Sequence, residues 1–383
     1  MRIIVKKFGG SSVAGTDQMR NIAIRLNQEM EPDCRYVIVV SAMGDTTDKL
    51  TQMAQELSKK PCKRELDMLL TAGERISMSL LSIALQEHGI GSISFTGSQS
   101  GIITDSHHGN ARIIDVTAFR IREELVSHKV VIVAGFQGVS REKEVTTLGR
   151  GGSDTSAVAL AAYLNAEKCE IFTDVDGIYS ADPRIVKSSV KLTEIDYETV
   201  LEMAYGGAKV IHPRAIEFAK KYDIPLEIKS SFTFNPGTFI IKETLLMKEK
   251  MVTSLSQKTD LYRFVIEGDA LKLLNAINKA NIEIFDFSIN ENLILIVEKE
   301  YYDDTLASLK SYQVSEVCEV QSISIIGHRV INDIGFLMQL IKDVKSAKTE
   351  IKDVKKNAVG ITLIIASSEV DELLNKLHKN YIN

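Results

Sequence analysis

The stretch Val5-Lys6-Lys7-Phe8-Gly9-Gly10-Ser11-Ser12 closes a β-branched run with lysine and two glycines, ahead of a helix-period segment. Glycine amides and a helix N-terminus attract anions, and a lysine at a strand end can neutralise charge growing on a transferred phosphoryl group. The same pattern also makes an ordinary tight turn. Gly10 to Gly15 has P-loop spacing, but Thr16-Asp17 follow where a P-loop needs lysine and a hydroxyl residue. There is no GxGxxG fingerprint and no HRD or DFG set, so Rossmann cofactors and protein-kinase chemistry lose support.

A second loop, Thr146 to Ser156, places Arg150 among Gly149, Gly151 and Gly152, with Ser153 and Asp154 opening an alanine-rich helix. An arginine among glycines has little packing around it, and its planar fork suits a carboxylate or phosphate. Ser153 or Asp154 as a simple N-cap is the plainer reading. A third loop, Phe172 to Arg184, follows a strand and could turn around an adenosine. Its Asp-Gly and Asp-Pro steps are also common turn chemistry, and its acids are wrongly spaced for calcium. Lys209 beside Gly206-Gly207 is a cation near glycines or a surface lysine. Glu74 opens the period Ile76, Leu80, Leu81, Leu85 and could complement a helix dipole. His107-His108 lack spaced carboxylates and read as a polar surface loop.

The elements that must hold these loops follow from the pattern of the whole chain. Its 383 residues imply two or three domains. With 44% hydrophobic and 25% charged residues it lies in the globular range, and a net charge of −5 with interspersed signs gives no basic footprint for nucleic acid. Cys34, Cys62, Cys169 and Cys318 form no CxxC pair, which argues against a zinc site or a disulfide framework and fits a reducing cytoplasm. The N-terminus turns charged before an apolar leader can form, and no apolar run approaching membrane-span length is evident. Short runs at Ile3–Val5, Tyr36–Val40, Ile93–Phe95, Val130–Ala134 and Ile171–Phe172 alternate with helix-period stretches such as Asp17 to Glu29. That alternation predicts an α/β sandwich with a mainly parallel central sheet.

All 6 prolines and 19 of the 23 glycines lie at or before Gly237. Past a charged hinge near Lys242 to Lys250, two stretches repeat one order of elements. The first is predicted as strand Tyr262–Glu267, helix Ala270–Ala280, strands Glu283–Ile289 and Leu293–Val297, helix Tyr302–Ser311 and strand Val314–Val320. The second runs Ser322–Ile326, Asp333–Val344, Thr349–Val354, Gly360–Ala366 and Glu369–Lys379, and stops one strand short. The strand-like stretch from Met251 would fill that edge.

Taken together, Lys7 to Ser12, Ser41-Ala42-Met43-Gly44-Asp45-Thr46-Thr47-Asp48, Gly73-Glu74-Arg75, Leu148 to Asp154 and Thr173 to Arg184 resemble the aspartokinases of the amino-acid-kinase superfamily, in order as well as in content. The resemblance implies an amino-acid-kinase catalytic domain at residues 1–241. It implies a regulatory region at 251–383 of two interleaved ACT-like βαββαβ units, about 258–320 and about 321–383, with strand 251–257 completing the second. The implied activity is transfer of the ATP γ-phosphate to the β-carboxylate of L-aspartate, with Mg²⁺ bridging the phosphates and no metal ligand assigned to the protein. That reaction opens the supply of lysine, threonine, methionine and diaminopimelate. Lysine, threonine or both are the implied effector, and the ACT-like units imply a homo-oligomer.

By the same resemblance, Lys7 meets the ATP phosphates, with Gly9, Gly10 and Ser11 as the anion cradle. Ser41 and Thr47 line the meeting point of the substrates. Glu74 holds the acceptor's α-ammonium and Arg150 its α-carboxylate, while Ser153 and Asp154 line the transfer site. Thr173, Asp174, Tyr179, Arg184 and Lys209 bind the nucleotide. An acceptor carboxylate with a pKa of ~4 is already ionised at neutral pH and needs no general base, so catalysis reduces to positioning and charge neutralisation. ACT helices usually open on an Asp-x-Pro-Gly turn, whereas this chain has Glu267-Gly268-Asp269-Ala270 and Asn332-Asp333-Ile334-Gly335. Two other readings compete: a sibling kinase with another acceptor, and an inactive ACT-type amino-acid sensor. Glu74 with Arg150 favours a free amino acid, and intact Lys7 and Asp154 favour an enzyme.

Overall fold

β-Branched runs bounded by glycine or polar turns build a parallel core, and the amphipathic stretches between them fold back over it. In the computed structural model, residues 1–233, 235–243, 250–347, 349–366 and 370–382 are described. The first part of the chain contains β1 (Arg2–Phe8), β2 (Cys34–Val40), β3 (Ser92–Phe95), β4 (Ile102–Thr104), β5 (Ile113–Val116), β6 (Val130–Ala134), β7 (Gln137–Ser140), β8 (Val145–Thr147), β9 (Lys168–Thr173), β10 (Glu194–Asp196), β11 (Leu226–Ser230) and β12 (Thr238–Ile241). Its helices are α1 (Thr16–Glu29), α2 (Thr46–Leu57), α3 (Lys63–Glu87), α4 (Phe119–Ser127), α5 (Gly152–Leu164), α6 (Tyr197–Tyr205) and α7 (Pro213–Tyr222). Eight strands form one sheet in the order β10-β12-β11-β9-β1-β2-β6-β3, parallel apart from the β11–β12 pair. The sequence pattern does not announce the separate sheet β5-β4-β7-β8, because strands of three or four residues carry no readable periodicity.

The two faces of the sheet at β1 are covered differently. On one, Ile4 and Phe8 of β1, Tyr36 and Ile38 of β2, and Val130, Ile132 and Ala134 of β6 share a core with Met19, Ile22 and Leu26 of α1 and Leu81 and Leu85 of α3. Burying each leucine there contributes ~1.5–3 kcal/mol. The opposite face receives α5, which is buried along nearly its whole length and so is apolar or small on every side. Among the described residues, α3 is long and apolar enough to cross a membrane by length and composition, although Asp67, Glu74 and Arg75 interrupt its apolar run. It carries buried Asp67 and Glu74 and packs on the sheet as a core helix.

The C-terminal part contains β13 (Ser254–Glu267), α8 (Ala270–Lys279), β14 (Ile284–Ile289), β15 (Leu293–Glu298), α9 (Tyr302–Ser308), β16 (Gln313–Ile326), α10 (Ile334–Ser346), β17 (Glu350–Lys356), β18 (Gly360–Ala366) and α11 (Val370–Tyr381). Its six strands form an antiparallel sheet, β14-β15-β13-β16-β18-β17. Two expectations are corrected. The stretch from Met251 and the strand from Tyr262 are one strand beginning at Ser254, and Val314–Val320 and Ser322–Ile326 are likewise one strand. An irregularity between Lys258 and Leu261, with Asp260 at φ 56°, absorbs the mismatch without ending the ladder. The expected turn prolines are replaced by side-chain caps: Asp269 accepts from Lys272 N at 3.0 Å and Asp333 from Phe336 N at 2.8 Å. Most of the hinge expected near Lys242 to Lys250, and Glu369 at the start of the last helix, lie outside the described residues.

The described residues divide into two compact units. One draws on Met1–Ile178, Lys191–Ala204 and Lys209–Thr244, the other on Tyr179–Val190, Tyr205–Ala208 and Leu245–Asn383. Ala181 and Val186 belong to the hydrophobic core of the second unit, together with Leu255, Ile325, Leu340 and Leu377. Ser180 Oγ lies 2.9 Å from Nε2 of buried His378 in that unit.

Candidate active site

Open parallel sheets collect ligand-binding loops at the carboxyl ends of their strands. Here β9, β1, β2 and β6, adjacent in the sheet, end at Thr173, Phe8, Val40 and Ala134. Lys7 projects from the end of β1, and its Nζ lies 2.7 Å from Oδ1 of Asp154 in the first turn of α5. Both side chains are largely buried, so the ammonium sits in a low-dielectric setting where its charge acts strongly. Gly9 N donates to Phe172 O at 3.2 Å, and Gly10–Val13 forms a 3₁₀ turn. Ser11 is exposed on that turn, whereas Ser12 is buried and donates to Ser231 Oγ at 2.9 Å.

The loop after β2 is tied to this turn: Ser41 N donates to Phe8 O and Gly44 N to Gly10 O, each at 3.1 Å. Ser41 and Thr47, which bracket that loop, are half-buried. α3 approaches the same loop so closely that a Cβ on Gly73 would lie 2.7 Å from Ala42 Cβ. The next residue, Glu74, is 3% exposed and accepts from Ala42 N at 3.1 Å through Oε1, while Oε2 has no hydrogen-bond partner among the described residues. Burial pushes the Glu74 carboxyl up to about 7, with the Ala42 amide opposing. A half-satisfied buried carboxylate is costly unless a cation completes it.

Arg150 is exposed on the loop between β8 and α5, flanked by Gly149 at φ 74° and Gly151 at φ 68°. A Cβ on Gly151 would also strike the His212 ring at 2.3 Å. Ser153 is buried in the first turn of α5, beside Gly135 just past β6. At the end of β9, Thr173 Oγ1 donates to Asp174 Oδ1 at 3.0 Å. Lys209 is exposed. Tyr179 and Arg184 belong to the second unit, where the Arg184 fork engages Asp182 at 3.0 and 2.7 Å. The structure thus brings together Lys7, Gly9, Gly10, Asp154, the Ser41 loop and Glu74.

Sequence reasoning missed a buried group beside them. Asp67 of α3 is 1% exposed and meets Thr147, Gly109 and His108. His108 is therefore no free surface residue, contrary to expectation. The available signal was the seven-residue spacing from Asp67 to Glu74, which puts both on one helix face. Ser231 was missed as well: besides meeting Ser12, its Oγ donates to Thr173 O at 3.1 Å. Among the described residues, no group of three or more His, Cys, Asp or Glu could hold a metal.

The sequence pattern described as the Amino acid kinase family matches residues 2–230. Aspartokinase 2 of Bacillus subtilis (strain 168) is 40% identical, over 99% of this chain and 97% of its own. The aspartokinase of Geobacillus stearothermophilus is 38% identical, over 100% and 97%. Among solved structures, E. coli aspartokinase III in complex with aspartate and ADP matches all of both chains with a TM-score of 0.87 at 23% identity, a likeness of fold. Aspartate kinase from Synechocystis is 35% identical, over 99% of this chain and 69% of that one, with a TM-score of 0.58. The chain belongs to the amino acid kinase family and, within it, to the aspartokinases.

Proposed function

We propose that this chain transfers the γ-phosphate of ATP to the β-carboxylate of L-aspartate, giving 4-phospho-L-aspartate. The observation that carries the reading is the buried Glu74 carboxylate with one oxygen unpartnered among the described residues, beside the strand end that bears the Lys7–Asp154 pair. In this reading Glu74 takes the α-ammonium of the acceptor, and the Arg150 fork takes its α-carboxylate. Ser41, Thr47 and Ser153 line the space between acceptor and nucleotide. Gly9, Gly10 and Ser11 offer backbone and hydroxyl donors to the phosphates. Lys7 neutralises charge that builds on the transferred group, and Asp154 holds the lysine at the strand end. Thr173, Asp174, Tyr179, Arg184 and Lys209 are assigned to the nucleotide.

Asp154 is engaged by Lys7, and no carboxylate cluster among the described residues stands ready for a cation. This donor set fits Mg²⁺ carried on the nucleotide phosphates, where the ion would screen phosphate charge. The acceptor carboxylate attacks in its ionised form, so no residue is needed to remove a proton.

The aspartate and ADP bound to E. coli aspartokinase III support the substrate assignment, and its complex with lysine and aspartate supports an amino-acid effector for the C-terminal unit. We assign residues 1–241 to catalysis and 251–383 to regulation and homo-oligomer formation, in a cytoplasmic enzyme. Trapping the acyl phosphate with hydroxylamine tests the reading: ATP- and Mg²⁺-dependent aspartyl hydroxamate is expected, and its absence from folded protein refutes it.

A further inference from the structure

We propose that Asp67 is a positioning residue for this reaction: through Thr147, His108 and Gly109, its carboxylate fixes the glycine loop carrying Arg150 relative to the helix carrying Glu74. The inference rests on the reading of Arg150 and Glu74 as the two ends of the acceptor grip.

Asp67 and Glu74 stand seven residues apart on α3, a rise of about 10 Å on one face. Thr147 Oγ1 donates to Asp67 Oδ1 at 2.6 Å, and Gly109 N donates to the same oxygen at 3.1 Å. His108 Nδ1 lies 2.7 Å from Oδ2. A buried carboxylate with such partners resists displacement, because losing one donor leaves charge unsatisfied. Thr147 ends β8, three residues before Arg150.

The loop between them has few side chains with which to hold itself. Gly149 and Gly151 occupy left-handed backbone conformations, and a Cβ on Gly149 would lie 2.7 Å from Asn110 Oδ1. Asn110 follows the two residues that Asp67 grips, and Ala111 N donates to Thr147 O at 2.8 Å. One carboxylate therefore fixes both the strand that enters the loop and the segment that packs on it. Arg214 Nη1, donating to Leu148 O at 3.0 Å, braces a neighbouring point. Loss of the Asp67 contacts would let Arg150 drift from Glu74 while Lys7, Gly9 and Thr173 stay in place.

The test uses the full chain and the variants Asp67→Asn, Thr147→Val and Thr147→Ser. Steady-state kinetics are run with aspartate and ATP varied separately, and limited trypsin digestion reports cleavage after Arg150 without reference to activity. Asp67→Asn and Thr147→Val are expected to raise the aspartate KM about tenfold, with the ATP KM within about twofold. Cleavage after Arg150 should accelerate while the far-ultraviolet circular dichroism is unchanged, and Thr147→Ser, which keeps the hydroxyl, should restore both. Wild-type aspartate KM and wild-type cleavage in both variants would overturn the proposal, as would an equal rise in both KM values. If Asp67→Asn does not fold, the Thr147 pair decides. An inactive wild type would defeat the functional reading, and cleavage after Arg150 would still decide the clamp.

Discussion

Lys6 and Lys7 are neighbours on one strand and face opposite sides of the same sheet, in two very different settings. Lys6 pairs with buried Glu170, which also meets Lys168 at 2.6 Å and Lys229 at 3.8 Å, and Glu227 meets the same two lysines at 3.1 and 3.4 Å. Burial pushes the Glu170 carboxyl up, but Lys6, Lys168 and Lys229 outweigh it and hold it at about 2. On the other side Lys7 has Asp154, and near the carboxyl end of the same strand Glu74 of α3 is left half-satisfied, with its carboxyl pushed up to about 7. A closed network stabilises the fold, whereas an incomplete one is available to a ligand.

The largest effects should separate the two lysines. Lys7→Ala is expected to lower kcat by ~10³-fold with the aspartate KM nearly unchanged, since its charge matters most as phosphoryl charge develops. Lys6→Ala, which strips Glu170 of a buried partner, should cost ~3–5 kcal/mol of stability and leave turnover per folded molecule nearly intact. Chemical denaturation beside active-site titration measures both, and the reverse pattern would dissolve the contrast.

Next comes pH. The folded pKa of Glu74, about 7, lies above its ordinary value of 4.5, so the folded protein holds the proton more tightly than the unfolded chain. The associated stability, ~3 kcal/mol, is fully present below pH ~4.5 and lost as pH rises through ~7 in the ligand-free protein. In its proposed role Glu74 must be ionised to take the acceptor ammonium, so the aspartate KM should climb as pH falls below ~7, approaching ~10-fold per unit. Glu74→Gln should raise that KM and flatten its pH dependence. A persistent slope in the variant would assign the titration elsewhere.

Arg150→Lys should raise the aspartate KM roughly tenfold with kcat little changed, because a point charge cannot reproduce a bidentate fork. The smallest effect is expected in the C-terminal unit. Asp333→Ala removes the cap of α10 and should cost ~1 kcal/mol by thermal unfolding without altering kcat.

The residues of the candidate site stand out in the sequence where the backbone geometry around them is local. Lys7 with Gly9 and Gly10, Glu74 after Gly73, and Arg150 between glycines each announce a strand end, a close helix approach or a glycine-built loop. The Asp67 group was not legible, because His108 lies 41 residues from its partner and only the fold joins them. Length and alternation revealed the parallel core, while β4, β5, β7 and β8 were too short to signal. The two long strands of the C-terminal sheet read as four because local irregularities look like strand ends. Nor could local pattern show that Tyr179–Val190 folds with the second unit, which depends on burial of Ala181 and Val186 in its distant core.

The most direct test of the assignment compares aspartate with glutamate as acceptor in hydroxamate trapping at saturating ATP. In the proposed grip, Glu74 on the α-ammonium and Arg150 on the α-carboxylate both anchor Cα and leave one reach for the reacting carboxylate, and an extra methylene misplaces it by ~1 Å, enough to cost ~10²-fold. A kcat/KM for aspartate ~10²-fold above that for glutamate is the predicted result, and comparable values for the two acceptors would contradict it.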